Sequence, residues 1–275
     1  MNIARWLSKL WLVSLVSFPI SAGEWIFKTG AFWSQTDSSV TTKSFDNQDI
    51  TLDFEDSLQL EKHLLLPFFE LGYKFNQRHH VYADWRRLHR SASSKTNFGF
   101  TLPNHPDSGV IAGANLNTRM DIDILSAGYG YSFYQNAKTE IGGSLGLHVM
   151  FIEMGFSGDI SACVNNAGSI ICDSTATNGE VVDESATAPL PDIGLWTHYQ
   201  LTDDWTLNAH SQFFYLKIDQ VKGYLADLNA SVSYQINPNW DIEFGYNYYI
   251  VEAEWDEIQL KYNYRGPMVN LAYRF

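Results

Sequence analysis

After residue 22 the chain alternates apolar and polar residues with a period of two, the pattern of strands with one apolar face. Trp240, Ile242, Phe244, Tyr246, Tyr248 and Ile250 interleave with Asp241, Glu243, Gly245, Asn247, Tyr249 and Val251. The preceding segment sets Ala226, Leu228, Ala230, Val232, Tyr234 and Ile236 against Asp227, Asn229, Ser231, Ser233 and Gln235. Trp205, Leu207, Ala209, Phe213 and Tyr215 oppose Thr206, Asn208, His210 and Gln212, and Ile193, Leu195 and Tyr199 oppose Asp192, Gly194, His198 and Gln200. Ile141, Leu145, Leu147, Val149 and Phe151 likewise oppose Glu140, Gly142, Ser144, Gly146 and His148. No stretch beyond Phe18 approaches the roughly 18 successive apolar residues of a membrane-spanning helix.

A soluble β-sandwich alternates too, so composition has to decide what the apolar face meets. Long charged residues cover the outside of a sandwich, whereas here the polar face is largely Gly, Ser, Asn and Gln, which suits the lumen of a transmembrane barrel. Trp25, Tyr73, Phe75, Tyr131, Phe133, Tyr199, Trp205, Tyr234 and Trp240 all lie near short polar turns, where an interfacial girdle belongs. The turns are Asn76–Arg78, Gln135–Lys138, Thr202–Asp204 and Asn237–Asn239, and longer connections fall at about residues 37–62, 92–115, 157–185, 219–223 and 253–257. Short turns on one side and longer loops on the other match periplasm and exterior. With both termini on the short-turn side, this predicts an all-β, antiparallel ten-stranded barrel near 24–36, 63–75, 79–91, 116–134, 139–156, 186–201, 204–218, 223–236, 239–252 and 257–275. Eight strands is the alternative should the first loop be misread.

Two strands change parity. Met120, Ile122 and Ile124 are even while Leu125, Ala127, Tyr129, Tyr131 and Phe133 are odd, and Ile258, Leu260, Tyr262 and Tyr264 are even while Val269, Leu271, Tyr273 and Phe275 are odd. One extra residue reverses a strand's faces, so β-bulges are expected near Ile124 and at Gly266-Pro267. Thr51 to Ser57 also alternates and is expected to form a short external hairpin strand or an inward-folded plug.

Composition sharpens this picture. Aromatic residues make up 15% of the 275 residues and charged residues only 18%, which excludes disorder and most coiled coils. The mean hydropathy of -0.20 hides the apolar faces, because inward polar residues cancel them. A formal net charge of -13 argues against nucleic acid as a partner. Met1 to Ala22 carries Arg5 and Lys9 before the apolar run Leu10–Phe18 and ends in small residues, which predicts a signal peptide over 1–22 and a barrel domain over 23–275. Its removal takes away two positive charges and leaves -15. The two cysteines, Cys163 and Cys172, share one loop of an exported chain, so a disulfide closing that loop is expected.

The last strand, with Val269, Leu271, Tyr273 and Phe275 on one face, resembles the carboxy-terminal assembly signal of Gram-negative outer-membrane barrels, which implies the barrel assembly machinery as a partner during insertion. Leu52 to Asp56 (LDFED), the strand-turn-strand Phe69 to Val81 and the closing Tyr264-Arg265-Gly266-Pro267 resemble a group of small, mostly uncharacterised outer-membrane barrels. The resemblance covers essentially the whole mature chain. It implies fold and location in the outer membrane of a Gram-negative bacterium, but no activity and no site.

Candidate chemistry is confined to charges and histidines. Lys28, Glu70, Lys74, Asp84, Arg86, Glu140, Asp192, Asp227, Asp241, Glu243, Lys261 and Arg265, with Asp121 and Asp123, fall on polar faces and are expected to neutralise one another in the lumen; the alternative is a conduit for small solutes. His148, His198 and His210 share the predicted lumen face, but folding the Thr202–Asp204 turn offsets His210 from His198 by about 10 Å, so no metal site or other cofactor is assigned. His89 with Asp121 or Asp123 at the outer rim is the candidate pair for a barrel hydrolase, with no hydrolase motif around it. Acidic clusters fall in the external segments: Asp46, Asp49, Asp53, Glu55 and Asp56, then Asp159, Asp173, Glu180, Asp183 and Glu184, then Glu252, Glu254, Asp256 and Glu257. They are read as solvated surface or as sites of cation bridging to lipopolysaccharide, with no calcium-loop spacing. The expected protein is a monomeric outer-membrane barrel, surrounded by lipid and lipopolysaccharide. Its role is structural or interactive at the envelope, with a narrow solute channel as the alternative and a lipid or peptide hydrolase third.

Overall fold

A computed structural model describes residues 23–43, 48–102, 105–166, 169–173, 177–218, 221–255 and 258–275; the signal-peptide segment 1–22 and the acidic residues Asp46, Asp256 and Glu257 lie outside them. The described residues form fourteen strands: β1 (Glu24–Lys43), β2 (Asp49–Asp53), β3 (His63–Lys74), β4 (His79–Lys95), β5 (Phe100–Leu102), β6 (His105–Val110), β7 (Asn115–Gln135), β8 (Thr139–Asn166), β9 (Ser169–Cys172), β10 (Thr177–Gln200), β11 (Trp205–Ile218), β12 (Val221–Asn237), β13 (Trp240–Trp255) and β14 (Ile258–Arg274). Ten of these, β1, β3, β4, β7, β8 and β10 to β14, pair antiparallel in a closed ring, with β14 returning to β1 through Phe27↔Tyr273 and Lys28↔Ala272. The other four decorate the loop end: β2 on β1, the β5–β6 hairpin against β8, and β9 on β8.

The short turns form because each carries a side chain that substitutes for the next strand's backbone acceptor. The Asn76 carboxamide oxygen accepts from the Arg78 and His79 amides at 2.8 and 3.1 Å. Asn136 does the same for Lys138 and Thr139, Asn237 for Asn239 and Trp240, and the Thr202 hydroxyl for Asp204 and Trp205. Asn and Thr favour this local closure over a continued strand.

Outside the ring, Leu145 and Ile193 are each 65% exposed. A second sheet of a sandwich would cover them, and in water each such side chain would forgo roughly 1.5 to 3 kcal/mol. The outer wall therefore faces lipid. The girdle aromatics gather beside the termini, where Trp25 packs on Tyr73 and Phe275, Trp205 on Tyr234, and Trp240 on Tyr273. About 10 residues suffice for a strand to cross the hydrocarbon, so β8, with 28, projects far beyond it.

Neither expected bulge exists. β7 pairs with β4 in unbroken register from Tyr131 to Asn115, and β14 keeps one register with β13 through Gly266 and Pro267. Met120, Ile122, Ile124, Leu260, Tyr262 and Tyr264 keep the inward parity of their strands and are buried. The lumen itself changes character, from polar near the termini to apolar near the loops. Register shifts occur elsewhere, for example between Ser132 and Tyr134, which leaves both Phe133 and Tyr134 facing outward. Gly266 is still needed for a different reason, since a Cβ there would collide with the Trp33 carbonyl of β1.

The segment expected to be either a hairpin strand or a plug is both. β2 pairs with the far end of β1 through Val40↔Leu52, after which residues 54–57 turn and fold inward. Leu52, Phe54 and Leu58 are fully buried in a cluster with Leu88, Met120, Ile122, Met150, Leu260 and Tyr262. Cys163 and Cys172 join the β8–β9 hairpin by a disulfide.

Candidate functional site

The lumen holds three layers, set by the inward residues at each height of the strands. Nearest the termini is a cavity of about 520 Å³. Lys28 on β1 stands directly across from Glu70 on β3, with the ammonium 3.2 Å from its carboxylate and 3.9 Å from Glu243 of β13. Lys74 lies 3.6 Å from Glu140, whose other oxygen accepts from the Ser132 hydroxyl at 2.6 Å. Arg274 pairs with Asp241.

Above the cavity is a buried ionic roof. The Arg86 guanidinium contacts Asp84 at 3.1 Å and Asp227 at 2.9 Å and donates to the Tyr264 hydroxyl at 2.8 Å. It also lies 5.7 Å from the centroids of the Phe68 and Tyr249 rings, and Tyr249 stacks on Tyr264 with centroids 4.7 Å apart. Asn247 donates to Asp227 at 3.0 Å. Beside this group, His148 Nδ1 and Asp192 are 3.0 Å apart, and Gln212 donates to Asp192 at 2.9 Å and to the Tyr82 hydroxyl at 2.8 Å. Asp227 and His148 have no solvent exposure, and the Asp227 carboxylate has its desolvation offset by the Arg86 guanidinium.

The third layer is the apolar cluster around residues 52–60, which contains one ion pair. The Glu55 carboxylate meets the Arg90 guanidinium and accepts from the Ser38 amide at 2.7 Å and hydroxyl at 2.8 Å.

Of the lumen charges expected from sequence, Lys28, Glu70, Lys74, Asp84, Arg86, Glu140, Asp192, Asp227, Asp241 and Glu243 thus lie inside. Lys261 and Arg265 do not. Their even-numbered neighbours Leu260, Tyr262 and Tyr264 point inward, so Lys261 reaches Glu252 at 3.7 Å and Arg265 reaches Asp37 at 3.8 Å on the outer wall. Asp121 and Asp123 are also on the outer wall, for the same reason of parity against Met120, Ile122 and Ile124. The histidines remain separate in register: His198 faces Asn208 while His210 faces Trp196. Among the described residues, no group of three or more His, Cys, Asp or Glu side chains is arranged to hold a metal ion.

The rim pair does form: His89 Nε2 is 2.9 Å from Asp123, and its Nδ1 is 3.0 Å from Arg87 and 3.6 Å from Asp121. Asp123 also accepts from the Trp85 indole at 3.0 Å. The cluster sits on the exterior of β4 and β7. Next to it Arg119 spans Asp121, Glu153 and Asp183 at 3.3, 3.7 and 3.1 Å. The hydrogen bond to Asp183 raises its pKa further above the ordinary guanidinium range. Lys62 is similarly raised by its bond to Asp37.

Sequence reasoning missed His80, Tyr82, Trp196 and Tyr264 as lumen residues. The signal was present as parity: Trp196 shares the even set of Asp192 and His198, and His80 and Tyr82 share that of Asp84 and Arg86.

A closed antiparallel ring with an apolar outer wall, an aromatic girdle and a polar-to-apolar lumen defines the fold of a bacterial outer-membrane β-barrel. Among solved structures, the outer membrane protease OmpT from Escherichia coli is similar with a TM-score of 0.58, covering 95% of this chain and 99% of that one at 9% identity. The translocator domain of the autotransporter NalP from Neisseria meningitidis has a TM-score of 0.40 over 92% of this chain and 88% of that one at 11% identity. The attachment invasion locus protein Ail of Yersinia pestis has one of 0.35 over 92% and 99% at 13% identity. At such identity the likeness to OmpT speaks for the fold alone. No protein-family model matches the chain, and no curated protein matches its sequence.

Proposed function

We propose that the protein is a non-conducting barrel of the Gram-negative outer membrane, whose role is structural or interactive at the envelope surface and involves no chemical step of its own. The observation that carries this reading is the filling of the loop-end lumen. A solute path needs continuous wetted space, whereas Leu52, Phe54, Leu58, Met120, Ile122 and Tyr262 pack there with at most 1% exposure, on top of the Arg86 layer. The projecting parts of β8 and β10, together with the β8–β9 hairpin that the disulfide closes, supply the surface for interaction. On this reading its partners are lipid and lipopolysaccharide around the wall and the assembly machinery during insertion, and the barrel acts as a monomer. Single-channel recording in planar bilayers tests it: the purified folded protein should give no steady ohmic steps, and reproducible ohmic steps would support the solute-channel alternative instead.

A further inference from the structure

The ladder of the ring stops short at two places, and each stop begins at a proline. β3 and β4 pair only as far as Phe68↔Arg86, and β10 and β11 only as far as Ile193↔Phe213. Backbone groups of successive strand residues point to opposite edges. The Phe75 amide donates to the His79 carbonyl at 2.9 Å and the Leu201 amide to the Trp205 carbonyl at 2.8 Å, so the odd-numbered residues of β3 and β10 aim at β4 and β11. The next odd positions are Pro67 on β3 and Pro191 and Pro189 on β10, which have no N–H to donate.

The two stops leave different edges behind. β10 carries its prolines on its own free edge, whereas β4 keeps every donor and acceptor from Arg87 to Lys95. Over those residues the even-numbered backbone groups of β4 serve β7, the side on which the Ser132 amide meets the Arg78 carbonyl. The odd-numbered groups have no backbone partner among the described residues. Arg87, His89, Ser91, Ser93 and Lys95 are all exposed, beyond the lipid-facing Trp85. Such an edge is a template for a further strand, and Pro67 prevents β3 from filling it.

Charge is an independent observation. On the projecting wall Lys62, Arg119, Lys222, Lys261 and Arg265 each lie within 3.8 Å of a carboxylate. Arg87 and Lys95, at the two ends of the free edge, have no ion pair among the described residues. Asp123, opposite Arg87 on β7, is taken by His89 and the Trp85 indole. A second copy of β4 laid antiparallel on this edge would set Arg87 against Lys95 at both ends, and like charges directly opposite are unfavourable.

We propose that the edge of β4 over residues 87–95 is a docking site for an extended peptide segment of a partner protein outside the cell. The segment adds to the sheet as an antiparallel strand, with acidic residues opposite Arg87 and Lys95 and apolar ones on the inward side, beside Leu88 and Ala92. This names a partner for the interactive role proposed above and rests on that reading.

The probe is the capped peptide Glu-Val-Thr-Val-Thr-Val-Thr-Val-Glu, titrated into the folded, detergent-solubilised protein and followed by fluorescence anisotropy. It should bind saturably with a Kd below about 1 mM. The same peptide with its threonine amides N-methylated cannot complete the ladder and should not bind. Ser91→Pro removes one free donor of β4 without touching the β7 ladder and should weaken binding by roughly tenfold. Arg87→Glu/Lys95→Glu should reverse the preference, toward a peptide with lysine at both ends. Folding is read from heat-modifiable mobility on SDS gels, and the charge-reversed variant carries the test should Ser91→Pro not fold. No saturable binding by the wild type, equal binding of the N-methylated peptide, or an unchanged preference in the folded charge-reversed variant would overturn the proposal. So would a wild-type dimer that Ser91→Pro dissociates, since it gives the edge to a second copy. Ohmic steps in planar bilayers would count against the non-conducting reading and leave the peptide result unaffected.

Discussion

Glu55 is the residue through which the inward-folded segment is most open to a quantitative challenge. Its side chain and that of Arg90 are 3% and 0% exposed. Replacing Glu55 by Ala leaves the guanidinium with the Ser38 hydroxyl at 2.8 Å, Met120 Sδ at 3.4 Å and the Glu61 carbonyl at 3.3 Å, all neutral. An uncompensated buried charge of this kind costs about 3 to 5 kcal/mol. The cheapest escape is for residues 52–60 to lift away and admit water, so the loss falls on local opening before global unfolding. At about 1.4 kcal/mol per tenfold, hydrogen-exchange protection should fall by roughly a hundredfold to a few thousandfold. The amides to follow are those of Phe54, Ser57 and Leu60, which donate to Ser38, Asp53 and Phe54 at 3.0, 2.9 and 2.9 Å. Adding Arg90→Met should restore most of that protection, because the orphaned charge goes with it. Protection in Glu55→Ala within about threefold of wild type, or no recovery in the double variant, would refute the argument that this ion pair holds the segment in place.

The roof offers a parallel case: Arg86→Met strands the buried Asp84 and Asp227 carboxylates and should lower the urea midpoint by an amount equivalent to about 3 to 5 kcal/mol, while Arg86→Met with Asp84→Asn and Asp227→Asn should recover much of it. The assignment of faces is tested by Ile193→Arg, expected to cost roughly 2 to 4 kcal/mol in lipid, against Lys261→Leu on the projecting wall, expected to change stability by less than about 0.5 kcal/mol in a folding titration. Changing both Cys163 and Cys172 to Ser should leave the barrel's unfolding midpoint unchanged while raising amide exchange in the β8–β9 hairpin, since closing a separation of nine residues contributes about 2 to 3 kcal/mol to that hairpin alone. Asn136→Ala removes the acceptor for two turn amides and should destabilise the barrel by about 1 kcal/mol in the same titration.

How far the sequence reaches differs between the wall and the lumen. The strand count and most strand ends are legible because lipid demands an apolar residue at every second position, and turns such as Asn136–Lys138 carry their own backbone acceptors. The disulfide is legible from two cysteines in one loop. Ten of the fourteen expected lumen charges are also legible, since charged residues avoid the lipid face. What parity alone cannot settle is which side an apolar residue takes once a strand leaves the bilayer. Above the lipid, water lies outside and the packed segment 52–60 lies inside, so the rule inverts: Met120, Ile122 and Tyr262 turn inward, and Lys261, Arg265, Asp121 and Asp123 turn outward. The pairing of charges drawn from distant strands, as in Arg86 with Asp227 or Arg90 with Glu55, was likewise decided only by closure of the ring. The sequence by itself thus determined the barrel, its girdle and its turns, because those answer to local geometry and to lipid. Only the tertiary structure decided that the lumen is closed above a cavity, because that depends on which inward side chains meet across it.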